Sequence, residues 1–312
     1  MAPDFNAEMR CQNEWGWLLA IWLFLSGTAG GLFLIYQIAE LPVFFGLLAI
    51  AVLVVGGGVL LLEQGSPLRA WRATSGIRTS WLSRGTVFVA SFLACATLSL
   101  TLKWLTAPPS MSGLAELIGW IASVFALLVV LYPAFFLANN RSVPFWHTPM
   151  LPIVFLIYAC MGASAVVLTG ADRLDHDLAS YRLLATGSIA SAIVVLGVFL
   201  YTMARAHIAA RESVKILNRA PLGWILWGGV VFVGSLLPLA LLLTRQETPQ
   251  LAGACMLVGG LLLRYCVLKA GVLVPAALAQ KGFELIRLNR TNVDDLAREY
   301  GHTTEGTSAN EG

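Results

Sequence analysis

Residues 15–62 read WGWLLAIWLFLSGTAGGLFLIYQIAELPVFFGLLAIAVLVVGGGVLLL, and Glu40 is the one charge among them. A helix needs about 20 predominantly apolar residues to cross a bilayer. This stretch supplies two such lengths, 15–39 and 41–62. Working outward, the same reading gives six more, at 85–106, 114–138, 148–170, 183–206, 222–244 and 251–274. Backbone groups in hydrocarbon must be satisfied within the segment, and no alternating barrel pattern occurs, so the spans are read as helices. The expected fold is all-α: a polytopic integral membrane protein of eight transmembrane helices in two four-helix bundles. Residues 1–279 form the transmembrane domain and 280–312 a cytoplasmic C-terminal tail. A hydrophobic content of 58% and a mean hydropathy of +0.77 set the chain apart from ordinary globular domains.

With eight spans both termini lie on one face. That face collects Arg69, Arg72, Arg78, Arg84, Arg141, Arg205, Arg211, Lys215 and Arg219, besides Arg10 and the tail, while the other has Lys103, Arg173, Arg182 and Arg245. Loop Lys/Arg bias sets orientation, which places both termini in the cytoplasm of a bacterial or archaeal cytoplasmic membrane. The N-terminal MAPDFNAEMRCQNE lacks the basic start and short apolar run of a secretory signal. Cys11, Cys95, Cys160, Cys255 and Cys266 are scattered, with no converging spacing for zinc or iron–sulfur ligation.

Between the spans, residues 63–84 alternate Leu68, Trp71, Trp81 and Leu82 with Arg69, Arg72 and Arg78, the pattern of a segment lying on headgroups. NNRSVPFWHTPMLP (139–152) reads as a turn-rich re-entry into the fifth span. ADRLDHDLASYR (171–182) is a polar loop and 206–221 a basic connection. ELPVFF (40–45) and MLPIVF (150–155) open two spans similarly and hint at duplication.

SGTAGG (26–31) carries Gly27 and Gly31 on one face, a close-packing signature that could alternatively leave room for a flat ring or a lipid tail. Asn13, Glu14 and Trp17 sit at the mouth of the first span, Tyr132 near the matching end of the fourth, and His147 at the start of the fifth. All five fall at similar depth. A quinone needs hydrogen bonds to its two carbonyls and a proton route within an apolar slot, which Asn, Tyr and His can supply. Tyr, Trp and His also frequent membrane interfaces because their rings are amphipathic. Arg264 lies well inside the eighth span, where ionisable residues are costly and face a bundle interior. Proton handling and structural pairing with Asp172 or Glu40 both fit it. Lys269 can snorkel to the interface. No span carries a histidine in its middle: His147, His176, His207 and His302 lie at ends, in loops or in the tail, so no haem is expected. The glycines at 56–58 have no helix N-terminus to offer a phosphate.

The segments with Trp22 and FLSGTAGG (24–31), SWLSRG (80–85), LYPAFFLANNRSVPFWHTPMLPIVFL (131–156) and GGLLLRY…KAG (259–271) together resemble the NrfD/PsrC/DmsC superfamily, the membrane subunits of complex iron–sulfur molybdoenzymes. The resemblance covers nearly the whole transmembrane region, and the stretch after the fourth span is its most specific part. It implies a haem-free subunit, without a metal of its own, that binds menaquinone or ubiquinone near the face where a ferredoxin-like iron–sulfur protein docks. Electrons pass to or from a molybdopterin subunit holding molybdenum or tungsten; the remaining partner is membrane lipid, and no nucleic acid is expected. In polysulfide-reductase-type relatives an Asn and a His four apart and a Tyr in the fourth span line the pocket. Asn13 and Tyr132 match these, whereas Trp17 stands in place of the His; Glu14 or His147 are the available substitutes. Many relatives dock their partners outside. A pocket on the basic face here is more like cytoplasm-facing sulfite-oxidising assemblies, which reduce quinone. A quinol-oxidising subunit of a polysulfide or DMSO reductase, a secondary transporter built around Arg264, and a plain anchor are the competing readings.

Overall fold

The computed structural model describes residues 10–12, 15–63, 81–105, 109–173, 178–206, 208–244 and 248–273. Eight helices in it are long and apolar enough to cross a membrane: Trp17–Ile38, Val43–Glu63, Trp81–Trp104, Pro109–Ala138, Met150–Thr169, Leu178–Arg205, Leu222–Thr244 and Pro249–Lys269. The chain is a multi-pass, all-helical membrane protein. Among the described residues the extended structure is confined to Arg10–Cys11, paired antiparallel with Val272–Leu273, which ties the chain's start to the end of the eighth span. The proposed tail, 280–312, lies outside the described residues.

The packing is that of two four-helix units. The first span packs on the second and fourth and the third on the fourth; likewise the fifth packs on the sixth and eighth and the seventh on the eighth. The units meet through the first and fifth spans, flanked by contacts of the first with the eighth and of the fourth with the fifth. Advancing every span by four maps this network onto itself. Burial follows the same order. The most apolar stretches of the first and fifth spans are 61% and 72% buried, against 28% for the second and third and 33% for the sixth and seventh. The likeness of ELPVFF to MLPIVF does not mark the repeat. The second and fifth spans start on opposite faces and are not counterparts.

Close approach at the centre rests on small residues, because lipid gives helices little hydrophobic reason to associate. A Cβ on Gly30 would lie 2.7 Å from the Ala126 carbonyl oxygen of the fourth span, and one on Gly31 2.8 Å from that of Ala159 in the fifth. SGTAGG is therefore a packing segment that serves both neighbours at once. Gly30→Val is expected to cost about 1–3 kcal/mol or more from overpacking, read as lost monodisperse yield in detergent. Gly57→Val, where nothing lies within 4 Å, should behave as wild type.

Several connections are structured. Trp81 and Leu82, expected on the headgroups, instead begin the helix of the third span, with Trp81 stacked 5.6 Å from Phe135; residues 64–80 are outside the described set. In the 139–152 re-entry Val143, Phe145 and Trp146 turn inward and are buried, Phe145 edge-on to Phe199 at 5.1 Å. The basic connection holds a short amphipathic helix, Ile208–Asn218, that buries Ala209, Ala210, Ser213 and Leu217. From Ile225 to Leu236 the seventh span winds as a π-helix, a form that frequently marks functional sites. The first span ends with the Leu41 N–H bonded to the Tyr36 carbonyl at 3.1 Å, and Glu40 supplies the left-handed residue of that cap at φ 49°. Glycine is the usual occupant, and a side chain there costs roughly 1–2 kcal/mol.

Candidate functional site

The face on which the first span begins is roofed by aromatic rings. Trp15 stacks on Trp146 at 5.1 Å and 10°, with Phe136 tilted beside it at 6.0 Å. The Trp146 indole N–H donates to the Val267 carbonyl at 2.8 Å, joining the re-entrant loop to the eighth span. The Gln12 backbone N–H donates to Gly271 at 2.9 Å. Trp17 stacks on Tyr265 with ring centres 3.8 Å apart. Such offset aromatic pairs add about 0.5–1.5 kcal/mol beyond the area they bury, which makes this end of the bundle a fixed surface.

Beneath that roof lies Tyr132, 6% exposed. Its ring lies directly on Gly85 of the third span, where a Cβ would come within 2.2 Å of Cε2. Phe88 meets it edge-on at 6.5 Å, and the Trp22 indole lies beside its hydroxyl. The following residue, Pro133, sits inside the helix and has no N–H to give the Val129 carbonyl. The site thus presents a phenol and an indole, two directed polar groups among aromatic walls.

The other expected site residues distribute around this point. Trp17 serves the eighth span through Tyr265, on another side of the first helix from Trp22. His147 is exposed and its Nδ1 donates to the Ala138 carbonyl, so it caps the fourth span. Asn13 and Glu14 lie outside the described residues. Tyr132, Trp17 and His147 therefore share a face, but their contacts belong to three separate groups.

Deeper in the bundle stands Arg264, 2% exposed. Its Nη2 donates to the Phe155 carbonyl at 3.1 Å, and its guanidinium carbon lies 3.8 Å from the centre of the Phe155 ring. Gly27 leaves room for it: a Cβ there would be 3.4 Å from Nη2. Nε, Nη1 and the Tyr158 hydroxyl have no hydrogen-bond partner among the described residues. The Ser235 hydroxyl of the π-helix lies alongside Tyr158 but gives its proton to Val230 at 3.1 Å. Neither expected carboxylate reaches the arginine. Asp172 accepts from Gln250 at 3.0 Å, and Gln250 is fourteen residues or about 21 Å up the same helix from Arg264. Glu40 is at the opposite end of the first span. Both sat within reach only because sequence carries no tertiary distance. The described cysteines Cys95, Cys160, Cys255 and Cys266 are free.

Reading the sequence alone passed over the packing role of Gly85, and passed over Phe88, Phe155 and Tyr158. Gly85 was visible as the last residue of SWLSRG, but not the ring that needs it. Tyr158 had no signal beyond being a polar tip within an apolar span.

The family model described as "Polysulphide reductase, NrfD" matches residues 6–276. Among curated proteins, the chain is 25% identical over 308 residues to Protein NrfD of Escherichia coli K12, covering 84% of this chain and 96% of that protein. It is 29% identical over 162 residues to the C subunit of the sulfite dehydrogenase of Allochromatium vinosum, a match spanning 48% of this chain and 49% of that relative.

Proposed function

We propose, from the premise that this chain belongs to the NrfD family, that it is the quinone-reactive membrane subunit of an oxidoreductase complex. The observation that carries the reading is the buried Tyr132, set on Gly85 and beside Trp22 where three of the distinctive sequence segments converge. Two polar groups inside aromatic walls suit a flat, dicarbonyl substrate that arrives from the bilayer. Reducing it takes two electrons and two protons. The Tyr132 hydroxyl, with the Trp22 indole beside it, orients the ring and is the proton donor at the carbonyl oxygen. The aromatic roof keeps water from the slot, and the rigid Trp15–Trp146–Val267 contacts hold the docking surface level.

The electrons come from a ferredoxin-like iron–sulfur subunit on this face, charged by a molybdopterin subunit; this chain contributes neither metal nor haem. The Lys/Arg bias of the loops supports a cytoplasmic position for that face. The likeness to a sulfite dehydrogenase subunit supports a complex that oxidises a sulfur compound such as sulfite and reduces menaquinone or ubiquinone. Arg264, with Tyr158 below the site, serves the proton supply.

Purifying the tagged chain from its native membrane in mild detergent, with subunit identification and metal analysis, tests the assembly. Iron with molybdenum or tungsten and two soluble subunits is the expected composition. A stable, metal-free single chain would point to the transporter reading, which Arg264 in the bundle interior, in no ion pair among the described residues, also suits.

A further inference from the structure

At the face opposite the candidate quinone site, a recess of about 520 Å³ opens between the ends of the first, third and fourth spans. Its walls mix charged and polar groups, Tyr36, Gln37, Glu40, Lys103 and Glu116, with the exposed ring of Trp120. Gln37 is 7% exposed, with its Oε1 turned inward against Gly119 of the fourth span. Lys103 leans over the Tyr36 ring at 5.2 Å and donates to its hydroxyl at 3.4 Å. Neither Glu40 nor Glu116 is in an ion pair among the described residues. Glu116 stands on a surface otherwise made of Leu114, Leu117, Trp120 and Ile121, all exposed. A carboxylate among lipid-facing side chains carries a cost that marks it for a role. Glu40 holds a left-handed position where glycine would relieve strain.

We propose that this recess is a binding site for the headgroup of a primary-amine phospholipid, of the phosphatidylethanolamine class. The chemistry of the walls selects it. The phosphate meets the Lys103 ammonium and the Tyr36 hydroxyl, and the amine meets the Glu40 and Glu116 carboxylates. The two carboxylates accept N–H hydrogen bonds, which a primary ammonium supplies and a choline headgroup cannot. A glycerol headgroup brings no cation for the two carboxylates, and a serine headgroup sets its own carboxylate against them. The acyl chains then run down the exposed Leu117, Trp120 and Val124 stripe of the fourth span. This site is independent of the quinone reading and of where the partner subunits dock.

The test is lipid retention by the full-length chain with whatever subunits copurify. The protein is exchanged into detergent holding equal phosphatidylethanolamine, phosphatidylcholine and phosphatidylglycerol, washed, and its retained lipid quantified by mass spectrometry. At least fivefold enrichment of the ethanolamine lipid over each of the others is expected. Glu40→Gly and Lys103→Gln should each return it to the choline level. Glu40→Gly should also melt at or above the wild-type temperature, since it relieves the strained cap while removing a ligand group. Equal retention of the three lipids, preference for the glycerol lipid, or undiminished ethanolamine lipid in either variant overturns the proposal. So does displacement of the retained lipid by a short-chain quinone, which would make the recess a quinone site.

Discussion

If the proposed quinone site is right, Tyr132→Phe is expected to lower quinone turnover by about a hundredfold, the low end of what a positioned proton donor contributes, and to leave dye-linked activity of the copurifying subunits unchanged. The substitution removes one hydroxyl and keeps the ring that lies on Gly85 and meets Phe88. Folding should therefore change by no more than about 1 kcal/mol, and a thermal melt in detergent checks this. Gly85→Ala is the companion variant. Its methyl would have to displace the Tyr132 ring, so the hydroxyl moves while its chemistry stays intact. Quinone turnover should fall in both variants, with the alanine variant also less stable. Unchanged turnover in Tyr132→Phe would remove the phenol from the site.

Arg264→Met separates stability from function in the opposite sense. A guanidinium buried with one carbonyl and one ring for company, and with no carboxylate partner among the described residues, is costly to hold in the bundle. Replacing a buried charge with an apolar side chain of similar volume is often neutral or stabilising, by about 1–4 kcal/mol. The variant should thus melt at the wild-type temperature or above it. If the arginine and Tyr158 supply protons, quinone turnover falls at least tenfold in the same protein. A melting temperature several degrees lower with normal turnover in the surviving protein would assign Arg264 to structure alone. Arg264→Lys is the informative control, since it keeps the charge but loses the fork that reaches Phe155 while stacking on its ring.

The transmembrane architecture was legible because its cause is local: each span is long and apolar by itself. The boundaries shifted where a tertiary contact rescued a charged or interfacial residue. The sixth span begins at Leu178, not 183, because Arg182 donates to the Leu242 carbonyl at 2.9 Å and stays within the helix. The third begins at Trp81, not 85, where Phe135 covers the indole and Arg84 lies 4.9 Å above it. The fourth starts at Pro109, a residue that fits the first turn of a helix.

The candidate site was legible only in part. Tyr132 stood out within a distinctive stretch, and its depth followed from counting along the helix. That it sits on Gly85 required knowing that the third and fourth spans pack together, which hydropathy does not encode. His147 looked available because histidine can donate and accept, yet its nearest need is the exposed carbonyl of Ala138. The partner of Arg264 was misplaced for the same reason. A carboxylate near in sequence logic can be a bilayer away in space.

A quinone held against Tyr132 beneath the aromatic roof is the centre of the proposed mechanism. A photoreactive quinone, illuminated with the purified complex in mild detergent and mapped by peptide mass spectrometry, tests it most directly. Saturable labelling, competed by unmodified quinone, is expected on peptides covering residues 81–92 and 127–138 or on Trp22. Saturable labelling confined to the helix ends at the opposite face, or labelling that unmodified quinone does not compete, would contradict it.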